Sequence, residues 1–244
     1  MSIRQRSMLG AGFFCAAAAI ALGMMVFVSS ETRASSNSPG LHDVEGLWRH
    51  DDLITSDGKH IPLNGVFLFH DGVFVEQAVM NDGAKPSGMA HAGPYTPTAD
   101  GVELIAEQTI GLSADETPRL SFRHSTHHVL HVNNSGDKMV LRFGSGTVQT
   151  FTRIGSGRAT IYNLTDGRFA LVDGRFVLVA GNENGVITGY GTYRANGTDY
   201  DLRARRWAEG NAEKAIIRSD LTIRVRFDGR ALTLSDGRRF QVTE

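Results

Sequence analysis

Four histidines crowd the segment Arg123-His124-Ser125-Thr126-His127-His128-Val129-Leu130-His131. Imidazoles at that density suggest either metal ligation or proton transfer. The local conformation decides between them. The Ser, Thr and Val content of residues 119–132 predicts a strand rather than a helix. On a strand, His124 and His128 share one face but stand about 13 Å apart. That is too far to share an ion whose ligands sit about 2 Å from it. His127 and His131 are related in the same way on the opposite face, so the run by itself predicts no metal site. Its even positions, Leu120, Phe122, His124, Thr126, His128, Leu130 and Val132, instead make an apolar face carrying two imidazoles. A neutral imidazole offers a bound molecule one donor and one acceptor.

Other polar groups fall beside turns. His70 ends the run Leu68-Phe69-His70-Asp71-Gly72, and His91 precedes Gly93-Pro94-Tyr95. Residues so placed would line a mouth. His124, His128, His70 and Tyr95 are therefore the candidate ligand-binding set. Glu103 and Glu107 share a face of one predicted strand, where carboxylates usually meet solvent. No Gly-x-Ser-x-Gly elbow, phosphate loop, dinucleotide fingerprint or His-Glu-x-x-His motif occurs. No catalytic residue is assigned, and no cofactor is expected.

Strands must position these groups. From Val44 onward, short alternating runs are broken by Asp-Gly, Asn-Gly and related turns every 8 to 12 residues or so, which predicts an all-β chain. Strands are expected near 46–55, 62–70, 73–80, 90–96, 102–109, 119–132, 138–144 and 147–153. Eight antiparallel strands of that length suit a barrel wide enough for one small ligand. A second all-β module, 158–244, is expected to form a smaller barrel or meander, with eight runs between 160 and 242. Gly93-Pro94-Tyr95 followed by Asp100-Gly101 parallels Gly191-Thr192-Tyr193 followed by Asn196-Gly197. A tandem duplication and independently acquired hairpin turns both produce such a parallel.

The chain has 244 residues and a formal net charge of −1, which excludes a polycation built to coat nucleic acid. That neutrality is a cancellation: residues 1–34 carry +2, residues 35–157 carry −6 and residues 158–244 carry +3. All nine His and all six Pro precede residue 132. The charge split suggests that the two modules dock on each other. Arg203, Arg205 and Arg206 form the densest basic cluster, suited to anionic head groups or to the acidic first module.

Met1–Arg6 is basic, and Ser7–Ser30 is uncharged, the pattern of an export signal. Its apolar core, residues 8–28, is also long enough to span a bilayer. Cleavage near Thr32-Arg33-Ala34 would release a periplasmic or extracellular protein; retention would tether it to the inner membrane. The one Cys, Cys15, lies in this core, so a disulfide framework is excluded. Residues 35–42 read as a linker.

Val44-Glu45-Gly46-Leu47-Trp48-Arg49 opens the first module. With Ser56-Asp57-Gly58-Lys59, Phe69-His70-Asp71-Gly72 and Ala92-Gly93-Pro94-Tyr95-Thr96, it resembles the bacterial lipocalin-like (calycin) domains over residues 43–154. The resemblance implies that Gly46 and Trp48 close one barrel end and that Arg153, on the last strand, lies across the indole. The second module, whose only Trp is Trp207, is similar only loosely. The expected function is binding of a small apolar or amphipathic ligand in the first barrel of an exported protein. The alternatives are a cyclase or isomerase on a calycin-like barrel and a non-catalytic envelope interaction protein.

Overall fold

Alternating side chains punctuated by tight turns produce nineteen strands and no helix among the described residues. The structure, a computed structural model, describes residues 44–80, 85–155 and 158–243. The leader with Cys15, the linker, the Asn81-Asp82-Gly83 turn and the 156–157 joint lie outside them. The all-β expectation holds.

The first module contains β1 (Gly46–Ile54), β2 (His60–Ile61), β3 (Leu63–His70), β4 (Val73–Met80), β5 (Ser87–Pro97) and β6 (Gly101–Ala106). It continues with β7 (Gln108–Ser113), β8 (Leu120–Arg123), β9 (Thr126–Asn134), β10 (Lys138–Phe143) and β11 (Val148–Gly155). Strands β1, β3, β4, β5, β6, β9, β10 and β11 pair in that order, and β11 returns to β1, so the eight-stranded antiparallel barrel is closed. Closure removes the unpaired edges that an open sheet would expose. Two expected strands are each broken. The run 102–109 breaks at Glu107 into β6 and β7, and the run 119–132 breaks at His124-Ser125 into β8 and β9. Ser125 takes a positive φ of 54°, a conformation incompatible with continuing the ladder. Beyond these breaks β7 and β8 pair as a hairpin that stays attached to β5.

The second module runs β12 (Ala159–Leu164), β13 (Gly167–Val172), β14 (Arg175–Asn182), β15 (Gly185–Asn196) and β16 (Asp199–Gly210). It ends with β17 (Ala215–Phe227), β18 (Ala231–Leu234) and β19 (Arg239–Gln241). These eight strands form a meander whose ends approach through a Leu164–Val242 bridge, making a second, nearly closed barrel.

Three apolar clusters result. One fills the first barrel and includes Trp48, Phe67, Phe69, Phe74, Met139 and Phe151. A second fills the other barrel around Phe169, Phe176, Trp207 and Phe227. The third joins the outer faces of both barrels through residues such as Leu68, Val75, Ala90, Ala170, Val179 and Ala208. The junction is thus apolar, with small side chains allowing close approach, and a Glu107–Arg168 ion pair beside it. Gln108 Nε2 adds a hydrogen bond to Gly181 O at 2.8 Å.

The two barrels also share registers. Trp48 opposes Phe67 as Tyr162 opposes Phe169, and Gly65 opposes Ala78 as Gly167 opposes Ala180. Tyr95 opposes Leu104 as Tyr193 opposes Leu202. The Tyr95 amide donates to Gly72 O at 2.8 Å, and the Tyr193 amide donates to Gly174 O at 3.2 Å. Gly65 and Gly167 must both be glycine, since an added Cβ would collide with the backbone oxygen of Gln77 or Val179. Independent hairpins would share turns but not these registers. One architectural plan is used twice.

One end of the first barrel is shut by Trp48, which is fully buried. Its Nε1 donates to Val44 O at 2.7 Å. The Arg153 guanidinium lies 4.0 Å from the indole centroid, and its Nη1 donates to Glu45 O at 2.5 Å. Gly46 has φ +135°, and a side chain there would strike the Arg153 guanidinium, so the Gly-x-Trp pattern and the distant Arg form one physical unit. Replacing Arg153 by Ala removes a cation–π contact and a hydrogen bond. It should cost about 1–3 kcal/mol in urea denaturation, with Arg153→Lys recovering only part.

Candidate functional site

The opposite end of the first barrel carries polar groups facing inward. On β4, Phe74 packs in the first barrel's core and Glu76, opposite Phe67, shares its face, while Val75 packs against the second barrel. The strand is therefore buried on both faces, and Glu76 is only 4% exposed. Its carboxylate lies between two imidazoles bound to different oxygens. His91 Nδ1 is 2.8 Å from Oε2, and His50 Nε2 is 3.1 Å from Oε1. The His91 contact is a well-formed hydrogen bond. The His50 contact is within ion-pair reach but off hydrogen-bond geometry.

Register places these side chains. Phe67, Glu76 and His91 stand side by side across β3, β4 and β5. His50 follows Trp48 at the same parity on β1 and stacks against Phe67 and Phe151. His128, on β9 opposite Leu104, completes the group. Its ring lies 6.2 Å from that of His91 and 5.9 Å from that of Phe143. Gln149 on β11 is buried nearby in sequence register, with Oε1 lacking a hydrogen-bond partner among the described residues, as does His50 Nδ1.

Burial raises the Glu76 carboxyl, but the adjoining His50 and His91 imidazoles outweigh it and hold it at about 2. Burial pushes the His128 imidazole below its ordinary value, helped by His91 and opposed by Glu76. At neutral pH the group therefore contains an ionised carboxylate and a neutral imidazole at its outer edge. A carboxylate on Nδ1 fixes the orientation of His91 and leaves Nε2 for a second partner, an arrangement suited to ligand recognition or general-base chemistry. Because His50 and His91 use different oxygens of Glu76, they do not converge on a single ion.

The second barrel provides an internal comparison. Leu164 stands where His50 does, two residues past the Tyr162 that matches Trp48. Leu178 opposes Phe169 as Glu76 opposes Phe67, and Gly189 opposes Leu178 as His91 opposes Glu76. Ile223 opposes Leu202 as His128 opposes Leu104. Phe240 precedes Val242 as Gln149 precedes Phe151, the residues that oppose Leu164 and His50. At all five positions the second barrel is apolar or glycine. The shared fold does not require the polar set.

The expected ligand residues separate into three places. His128 joins the interior group. His124 does not: the break at Ser125 takes it off the strand, and it is exposed, in an edge-on contact with Phe122. His70 and Tyr95 meet at the Trp48 end instead. There Tyr95 Oη donates to Glu45 Oε1 at 2.8 Å, the Asp71 amide donates to the same oxygen, and His70 Nδ1 is 3.5 Å from Glu45 Oε2. Burial and Glu45 push the Tyr95 phenol up. Glu45, His70 and Asp71 bring one potential metal-ligating atom each within 4.8 Å of one another, but Glu45 is already engaged in tying β5 and the β3–β4 turn to the chain before β1. Glu103 faces outward and pairs with His127, as its strand parity predicts.

Sequence reading missed His50, Glu76 and His91 as a group. The available signal was Glu76 itself, a lone carboxylate within Phe74-Val75-Glu76-Gln77-Ala78-Val79, a run too apolar for a strand with a solvated face.

The depressed Glu76 value links to stability. An unfolded carboxyl near 4.5 and a folded one near 2 give stabilisation that is complete above pH 4.5 and disappears as pH falls toward 2, about 3 kcal/mol in all. Urea denaturation should show the stability gap between wild type and Glu76→Gln narrowing by that order between pH 5 and pH 2. A constant gap would mean that Glu76 is not ionised in the fold.

No family model, no curated protein and no solved structure matches the chain.

Proposed function

We propose that the chain is an exported protein whose first barrel binds a small amphipathic molecule at the end opposite Trp48. One observation carries the reading: five polar side chains face the interior of one barrel where its register-matched counterpart has Leu164, Leu178, Gly189, Ile223 and Phe240. Burying a charged, incompletely hydrogen-bonded group costs stability that an apolar core would not lose. A barrel that keeps such a group where its twin does without has a use for it.

The ligand chemistry follows from the lining. Phe143, only partly buried, offers apolar surface beside the imidazoles, with Phe67 and Phe151 fully buried behind them. His91 and His128 offer a donor and an acceptor for one polar group. Trp48, Phe69 and Phe74 occupy the far end, so the guest is small and sits near the imidazoles. The lipocalin-like resemblance of residues 43–154, now with Arg153 lying over Trp48, supports the same reading. The basic start and apolar stretch of residues 1–30 support export.

A second reading, proton transfer in a cyclase or isomerase, is favoured by the Glu76–His91 contact at 2.8 Å. A carboxylate-oriented imidazole is a competent base. The binder reading needs only recognition.

Native mass spectrometry of the full chain, purified gently from its natural host, tests the proposal. The expected result is a bound mass of small-molecule size. That mass should vanish in His50→Leu/Glu76→Leu, which installs the second barrel's residues as a pair. A cooperative thermal melt of the double variant would show that loss of the mass does not reflect unfolding. A wild-type chain with no bound mass, or a mass that the double variant retains, would contradict the proposal.

A further inference from the structure

A second feature lies outside the first barrel. At the barrel junction is a crevice of about 790 Å³, within the size range of small-molecule sites. Leu47, Val66 and Ile154 of the first barrel and Val177 and Tyr190 of the second line its apolar part. Its other wall is basic.

That wall is built by register. Arg175, Thr192, Arg203 and Thr222 stand side by side across β14, β15, β16 and β17, and all four line the crevice. Neighbouring strands are about 4.8 Å apart, so guanidiniums alternate with hydroxyls along a continuous row of donors. A β-bulge adds to it. The β15–β16 register shifts at Tyr190/Gly191, where Arg205 is the extra residue. Leu202 and Ala204 face the barrel core and so does Trp207, so Arg205 and Arg206 both fall on the outer side. Both line the crevice.

Basic side chains outnumber acidic ones along this row. Arg203 is flanked by Thr192 and Thr222 rather than by carboxylates, and Arg203 and Arg205 are exposed and make no ion pair among the described residues. Asp220 also lines the crevice, and Arg49 at its rim is held by Asp51 at 2.9 Å. Arg175, Arg203 and Arg205 still outnumber the one carboxylate. Like charges crowded on one sheet face destabilise it unless something neutralises them.

We propose that this crevice binds a single amphipathic anion. Its phosphate-like or carboxylate head lies on the Arg175–Thr192–Arg203–Thr222 row, and its alkyl chain lies along Leu47, Val66 and Ile154. Guanidiniums suit such heads because their forked donors match paired oxyanion acceptors. The crevice is recessed between two barrels, so the occupant is a monomeric amphiphile taken out of solution rather than a membrane surface. This site is separate from the imidazole group and stands whether or not that group binds a ligand.

Equilibrium titration of the full chain with dodecyl phosphate below its micellar concentration tests the proposal, with inorganic phosphate and dodecyl maltoside as comparison probes. Dodecyl phosphate should bind saturably at one site and more weakly as salt rises. Arg203→Ala/Arg205→Ala should weaken it tenfold or more without lowering the melting temperature of the ligand-free chain. Inorganic phosphate should bind at least tenfold more weakly than dodecyl phosphate, and the neutral maltoside should not saturate. Unchanged affinity in the double variant, equal binding of the maltoside, or equal binding of inorganic phosphate would each overturn the proposal. So would sedimentation with phosphatidylglycerol vesicles that depends on Arg203 and Arg205 in a chain that takes up no dodecyl phosphate, since the partner would then be a bilayer.

Discussion

Burial on both faces of the junction strands governs the rest of this molecule. β4 and β14 are walls of their own barrels and also the surfaces by which the barrels meet, so their burial is nearly continuous along the strand. A strand in that position can carry neither a solvated face nor the usual alternation of polar and apolar residues. Small residues such as Ala90, Ala170 and Ala208 let the sheets approach. The Glu107–Arg168 pair and the Gln108–Gly181 hydrogen bond sit beside that apolar contact. They orient the junction, whereas the apolar area supplies its stability.

The same constraint makes Glu76 informative. In a strand with water on neither side, a carboxylate has to be neutralised from within, and His50 and His91 do so from opposite oxygens. Such groups are expensive to bury and cheap to replace by apolar side chains. The second barrel shows the replacement already made, with Leu178 at the matching position. Repetition of the fold therefore separates what the architecture needs from what one copy has kept. The aromatic packing, the Gly65 and Gly167 close approaches and the hairpin turns are needed by both copies. The imidazoles and the carboxylate belong to one.

Much of the architecture was legible because local chemistry dictates it. Asp71-Gly72 and Asp173-Gly174 take positive φ values, as tight hairpins demand, and the second module's eight runs appear close to where alternation places them. Trp48 and Arg153 meet as the lipocalin-like resemblance implies. Legibility ended where strands break or where the far face is hidden. The kink at Ser125 depends on how the β7–β8 hairpin leaves the barrel, which no local signal encodes, so His124 was grouped with His128. His70 and Tyr95 were rightly placed at strand ends, but alternation alone does not say which barrel end a turn closes. Glu76 does not stand out by alternation, because the second barrel that buries the other face of its strand is far away in sequence.

A crystal structure of the protein purified from its natural host without delipidation would show whether Glu76 and its imidazoles hold a ligand. The account predicts electron density for a small organic molecule within hydrogen-bond distance of His91 or His128, in contact with Phe143, and none inside the second barrel. Density that reads only as ordered water around Glu76, with the imidazoles bonded to it, would contradict the account and return the polar group to a structural role.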